Sequence, residues 1–180
     1  MGYPLFTTGD VLNASDMNAV GLWLVKTDTI TSGSSKEITS VFSSNYRDYL
    51  IVIDNFVASA GVGLSLRIGT NALNYYWGGI TVNYATNAVV GENGNNTTSF
   101  NTGAVADTTG AAGTTVNVLR PFLTTRTNYN ASGIDSRTGG AGCRNYSGFL
   151  NDTTSYTSFT LLIAGATFTS CNVAVYGYKS

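Results

Sequence analysis

Tyr46-Arg-Asp-Tyr-Leu-Ile-Val-Ile-Asp-Asn-Phe56, then Val57-Ala-Ser-Ala-Gly-Val-Gly63 and Leu64-Ser-Leu-Arg-Ile68, is the stretch on which the fold class turns. It reads as two strands joined by a loop. Between Tyr49 and Phe56 both alternating sets are mostly apolar, with Tyr49, Ile51 and Ile53 on one side and Leu50, Val52 and Phe56 on the other. Such a strand needs cover on both faces. The second run alternates cleanly: Leu64, Leu66 and Ile68 face one way and Ser65 and Arg67 the other, the pattern of a strand with one wet face. A buried helix would need a longer run with fewer β-branched and aromatic residues.

Working outward, strands are expected over Leu22–Thr27 and Lys36–Phe42 before this pair. A further pair is expected over Ala72–Tyr84, with Gly78-Gly79 marking a bulge or bend. Asn87–Gly113 is dominated by Gly, Asn, Thr, Ala and Ser and reads mostly as loop, which makes it a candidate partner-facing surface. Thr115–Thr124 restores alternation, and Pro121 puts it at an edge or at the strand's end. Thr124–Gly142 reads as another polar stretch, with Ile134 between Gly-rich turns. Arg144–Leu150, Ser158–Ala164 and Cys171–Tyr178 follow, the last two expected to close the sheet. The reading is all-β, with roughly eight to ten strands in an antiparallel two-sheet β-sandwich, and the jelly roll best fits the count and the long connections.

Ahead of the sandwich, residues 1–21 read as an arm and a short helix, and residues 22–180 as the β domain. Ser15 can cap that helix, which holds Met17 and Val20 and stops at Gly21. In the arm, Tyr3, Leu5, Phe6, Val11 and Leu12 would be exposed on an isolated domain, so they are candidates for docking on a neighbouring subunit or platform.

Composition narrows the function classes. Nine basic and ten acidic residues nearly cancel, and neither sign clusters, which argues against a nucleic-acid groove or a polybasic membrane contact. No basic segment followed by an apolar run opens the chain, and nothing approaches the ~20 apolar residues of a membrane span. Only 11% of residues are charged, so self-association or a place in a larger assembly is expected. There is no histidine, which removes the commonest general base and metal ligand. Asp48 and Asp54 share a strand face, while Glu92, Asp107, Asp135 and Asp152 are expected in loops. Nothing pairs them across a cleft, so no catalytic, metal or cofactor site is assigned. Cys143 and Cys171 read as reduced, packed thiols. Tyr75, Tyr76, Trp77 and Tyr84 form an aromatic surplus that could stack on a glycan, although filling the core or an interface is the favoured reading.

Three passages together resemble tailed-bacteriophage virion proteins: Phe6-Thr-Thr-Gly-Asp-Val-Leu-Asn-Ala-Ser-Asp-Met-Asn18, the pair Tyr46–Phe56 with Leu64–Ile68, and Val173-Ala-Val-Tyr-Gly-Tyr-Lys179. The resemblance is to small tail-fibre or surface-appendage proteins, a group that also includes capsid-decorating proteins. It implies an arm anchored to other virion proteins, a projecting β-sandwich that is often trimeric, a structural or host-attachment role, and a protein made in the host cytoplasm and carried on the virion. Capsid decoration or a head fibre is the alternative placement, and a glycan-binding module the second alternative. No functional residues carry over from it.

Overall fold

The computed structural model describes residues 21–140 and 142–178; the arm residues Tyr3, Leu5, Phe6, Val11 and Leu12 and the helix expected after Ser15 lie outside them. Among the described residues the chain is all-β, with no helix, and no helix is long and apolar enough to cross a membrane. The strands are β1 (Leu22–Ile30), β2 (Ser35–Ile38), β3 (Asp48–Ala58), β4 (Val62–Ile68), β5 (Tyr75–Asn83), β6 (Val89–Thr97), β7 (Phe100–Ala106), β8 (Ala112–Leu119), β9 (Thr127–Asp135), β10 (Gly142–Leu150), β11 (Phe159–Leu162) and β12 (Phe168–Tyr178).

Pairing runs antiparallel through β1-β12-β3-β8-β9-β10-β5-β6 and, separately, through β7-β4-β11-β2. The two runs meet at one parallel bridge, Val105 to Asp135, giving a nearly closed, barrel-like sheet. The inward faces of both runs fill one core. Tyr49, Ile51 and Ile53 of β3, Val116 and Val118 of β8, and Val173 and Val175 of β12 oppose Leu64, Leu66 and Ile68 of β4 and Phe159 and Leu161 of β11. Each aliphatic side chain buried in this way contributes about 1.5–3 kcal/mol.

The alternation read in β4 and β12 is what the fold buries, but β3 departs from it. Its register jumps between Ile53, opposite Thr114, and Phe56, opposite Ala112, and Asn55 takes φ 50° there. The extra residue turns Phe56 inward onto Phe168, 5.8 Å between ring centroids, so Phe56 joins Tyr49, Ile51 and Ile53 rather than Leu50 and Val52. Leu50 and Val52 stay half-buried on the outer face.

Five other expectations are corrected. Ala72–Tyr84 holds one strand, β5, and its register against β10 runs through Gly78 and Gly79 without a bulge. Gly79 is needed because the Tyr146 ring and the Asn145 carbonyl occupy the space of a side chain. Asn87–Gly113 is not mostly loop, since it carries β6, β7 and the start of β8, and Ile134 lies within β9 rather than between turns. The last two strands do not close the sheet: β11 lies between β4 and β2 and β12 between β1 and β3, and the two runs meet instead at Val105 and Asp135. The described strands number twelve, more than expected.

Because consecutive strands run in opposite directions, the loops alternate between two ends of the molecule. Leu22 and Tyr178 are a register pair, so the first and last strands bring the chain's described ends together. The loops after β2, β8 and β10 share that end, called the terminal end below. The loops after β5, β7 and β9 lie at the far end.

Candidate interaction sites

Strand alternation disperses the aromatic residues of β5. Tyr75 points inward and is fully buried, with its ring edge-on to Phe100 at 4.7 Å. Its hydroxyl accepts the Ile68 N–H and donates to the Asn71 carbonyl, both at 2.9 Å, and burial pushes its pKa well up. A ring so enclosed cannot stack on a sugar, so Tyr75 is corrected from glycan candidate to core residue. Trp77, on the same face, is half-buried. Its indole N–H donates to Thr97 Oγ1 and the Ser99 carbonyl, and its ring meets Tyr146 edge-on at 5.4 Å over Gly94. Tyr76 faces outward and stacks on Phe149 at 5.3 Å, with the Arg126 guanidinium 5.3 Å over the Phe149 ring. Tyr84, 63% exposed, lies beyond the far end of β5, about 26 Å along the chain from Tyr76. The four residues do not converge.

The outer face of the eight-strand run is short of charge and carries exposed apolar groups in two areas. Leu22, Leu24 and Tyr178 form one, at the β1 edge. Ile134, Cys143, Val82 and Val89 form a cross-strand row in the other, beside Ile80. Amide groups join them: Tyr178 donates to Asn117 Oδ1 at 3.1 Å and Asn117 donates to Asn130 at 3.0 Å.

Most of the described carboxylates are engaged, the exposed Asp54 excepted. Asp135, whose side chain is 1% exposed, accepts two bonds from the Arg137 guanidinium (2.9 and 2.7 Å), one from the Arg137 N–H (3.3 Å) and one from Arg144 (2.8 Å). Burial alone would raise its pKa, but the hydrogen bonds and charges of the arginines outweigh it and hold the carboxyl below its usual range. Arg144 also approaches Glu92 at 3.7 Å, and Glu92 accepts from Thr81 and Tyr146 at 2.7 and 2.8 Å. This chain of bonds pins β9, β10, β5 and β6 together. At the far end Asp107 accepts from the N–H groups of Thr109, Gly110 and Thr138 and from the Thr109 hydroxyl, which hold its pKa far down and lock the β7–β8 loop to the β9–β10 loop. Of the carboxylates expected in loops, Glu92 and Asp135 belong to strands. Both cysteines are free thiols, but only Cys171 is packed, and burial pushes its pKa up to about 12; Cys143 lies exposed on the outer face, which corrects the expectation that both are packed.

At the terminal end, three loops surround an open hollow of about 510 Å³. The β2–β3 loop supplies Tyr46 and Arg47, the β8–β9 loop Phe122, Leu123 and Thr124, and the β10–β11 loop Ser155. Cross-bonds fix these loops. The Arg120 N–H reaches the Arg47 carbonyl (3.1 Å) and Asp48 Oδ1 (3.0 Å), Tyr156 N–H donates to the Pro121 carbonyl (2.9 Å), and the Ser155 hydroxyl donates to the Phe122 carbonyl. Arg120 holds φ 63°, unusual for a residue with a side chain, and those bonds secure it. The Tyr46 ring lies where Gly177 lacks a Cβ and meets Tyr49 edge-on at 6.0 Å. Sequence reasoning missed this hollow because its residues come from three loops distant in the chain and Phe122 read as part of a strand. The Tyr-Arg and Phe-Leu pairs beside turn residues were the available signal.

No protein-family model matches the chain, and no curated protein matches it.

Proposed function

We propose that this chain is a structural component of a tailed-phage virion, a homotrimeric tail-fibre or surface-appendage protein with a role in host attachment. Capsid decoration or a head fibre is the alternative placement. The observation that carries the reading is the neutral outer face with its exposed Leu24 (58%), Ile134 (53%) and Val89 (64%), an apolar surface that copies of the chain would cover. The position of Leu22 beside Tyr178 adds to it. Residues 1–21, with Tyr3 to Leu12 as the attaching segment, would lead to a platform from that end, leaving the far-end loops to project.

Strand order supports the finer fold reading, a two-sheet jelly roll. The successive neighbours β1-β12-β3-β8 and β2-β11-β4-β7 are two four-strand sets, each alternating early and late strands as two Greek keys require. On this reading β5-β6 and β9-β10 are hairpins inserted in the eight-strand plan, and they extend the first set. Jelly rolls serve capsids and lectins alike, so the fold does not choose the function.

Light scattering on the purified full chain tests the self-association, with a trimer mass expected and a stable monomer counting against it. Deleting residues 1–12 should leave the melting transition in place and abolish incorporation into particles; normal incorporation would remove the anchoring role.

A further inference from the structure

We infer that the terminal-end hollow binds a saccharide bearing a carboxylate, such as a uronate or a sialate. The inference stands on the lining of the hollow and is independent of any placement on a virion. Tyr46 and Phe122 are half-buried rings of the lining, and the Tyr46 ring is set against Tyr49 and Gly177. Pyranose rings offer flat C–H faces that pack on such rings, while their hydroxyls demand polar partners at the rim. Ser44 and Thr124 provide them, for among the described residues neither hydroxyl is engaged in a hydrogen bond. An apolar peptide would leave these groups without use and would cover Arg47 with nothing to answer its charge.

Arg47 is the charged residue of the lining. Its side chain is 59% exposed, and its Nε is 4.0 Å from Asp48 Oδ2, beyond hydrogen-bond distance. Asp48 already uses Oδ1 to accept the Arg120 N–H. The guanidinium is therefore able to turn and meet a carboxylate with two parallel N–H···O bonds. The size suits a small ligand, since ligand pockets span roughly 300–1,000 Å³. Little loop ordering is required on binding, because the Arg120, Tyr156 and Ser155 bonds already hold the walls.

The test is an NMR titration of the full ¹⁵N-labelled chain with digalacturonate, 3′-sialyllactose and lactose. Amides of residues 43–47, 122–124 and 155 are expected to shift with an acidic probe, and lactose to bind about tenfold more weakly, since solvent screening at an exposed guanidinium discounts its paired bonds to a carboxylate. R47Q should erase that preference while leaving the rest of the spectrum unchanged, because the side chain is exposed. F122A should weaken every probe that binds. A response to one acidic probe alone supports the site and identifies its source as uronate or sialate. Absent shifts, as when another segment or a second copy fills the hollow, overturn the inference, as do shifts elsewhere or an acid preference that survives R47Q. Particle incorporation of the arm deletion is a separate readout, so either proposal can fail without the other.

Discussion

β3 and β7 are both interior strands, yet they are held by different means. β3 buries Tyr49, Ile51, Ile53 and Phe56, and the cost of ordering it is offset by apolar surface removed from water. β7 buries nearly every residue of Phe-Asn-Thr-Gly-Ala-Val-Ala although Phe100 and Val105 are its only larger apolar side chains: Phe100 stacks on Tyr129 at 3.8 Å, and the rest is close approach and hydrogen bonding. Gly103, at φ 81°, faces Gly133 so closely that a Cβ on Gly133 would collide with the Gly103 backbone. The Thr102 hydroxyl donates to the Leu64 carbonyl at 2.8 Å, and Thr114 donates to the Thr102 carbonyl at 2.6 Å. A strand can thus be interior without being hydrophobic, provided its partners come close and its polar groups are answered.

The sharpest break in that comparison is expected from Leu66→Ala, beside β7 in the apolar half of the core. The cavity should cost about 2–5 kcal/mol, read as a lower urea midpoint at unchanged slope. Gly133→Ala should come next, at about 1–3 kcal/mol, since the added methyl meets backbone and forces β7 and β9 apart. A Gly133→Ala protein as stable as the parent would show that the close approach is not required. Thr114→Val keeps the shape but strips a bond from the Thr102 carbonyl, an expected loss of about 1–2 kcal/mol by thermal or urea unfolding.

The gentlest probe is pH. Asp107, Asp135 and Asp152 are all held below the ordinary 3.8, so each favours the folded state above that value and loses its contribution as pH falls through its lower folded pKa. Stability should be level near neutrality, where no histidine titrates, and decline below about pH 4. Asp135→Asn should make the acid limb shallower as well as weaken the fold. Tyr49, Tyr75 and Tyr129 are raised by burial, so a second decline is expected as pH climbs past tyrosine's ordinary 10.0. Urea midpoints across pH check both limbs.

The same contrast explains what could be read in advance. Leu64, Leu66, Ile68, Val173 and Val175 announced their burial through alternation, which is a local property of the pleat. β6 and β7 did not, because Gly, Asn and Thr carry the composition of loops and become strands only when a partner's backbone lies alongside. The aromatic run failed for a related reason. Tyr75, Tyr76 and Trp77 are neighbours in sequence, but alternation sends Tyr76 to one face and the other two to the opposite one, and Phe100 and Tyr146 were already there to receive them. The Tyr-Arg and Phe-Leu pairs beside turn residues hinted at the hollow, but its walls come from loops 43–47, 122–124 and 155, whose meeting no local pattern encodes.

By itself the sequence determined the all-β class, the inward sets of β4 and β12, and a chemistry without histidine, since these depend on residue type and on period. Only the tertiary structure decided which strands pair, where Asn55 inverts the faces of β3, that Tyr75 is closed off, and that Tyr46, Arg47 and Phe122 share one hollow. Those outcomes depend on which distant backbone comes within reach, a property of the folded chain as a whole and of no single stretch.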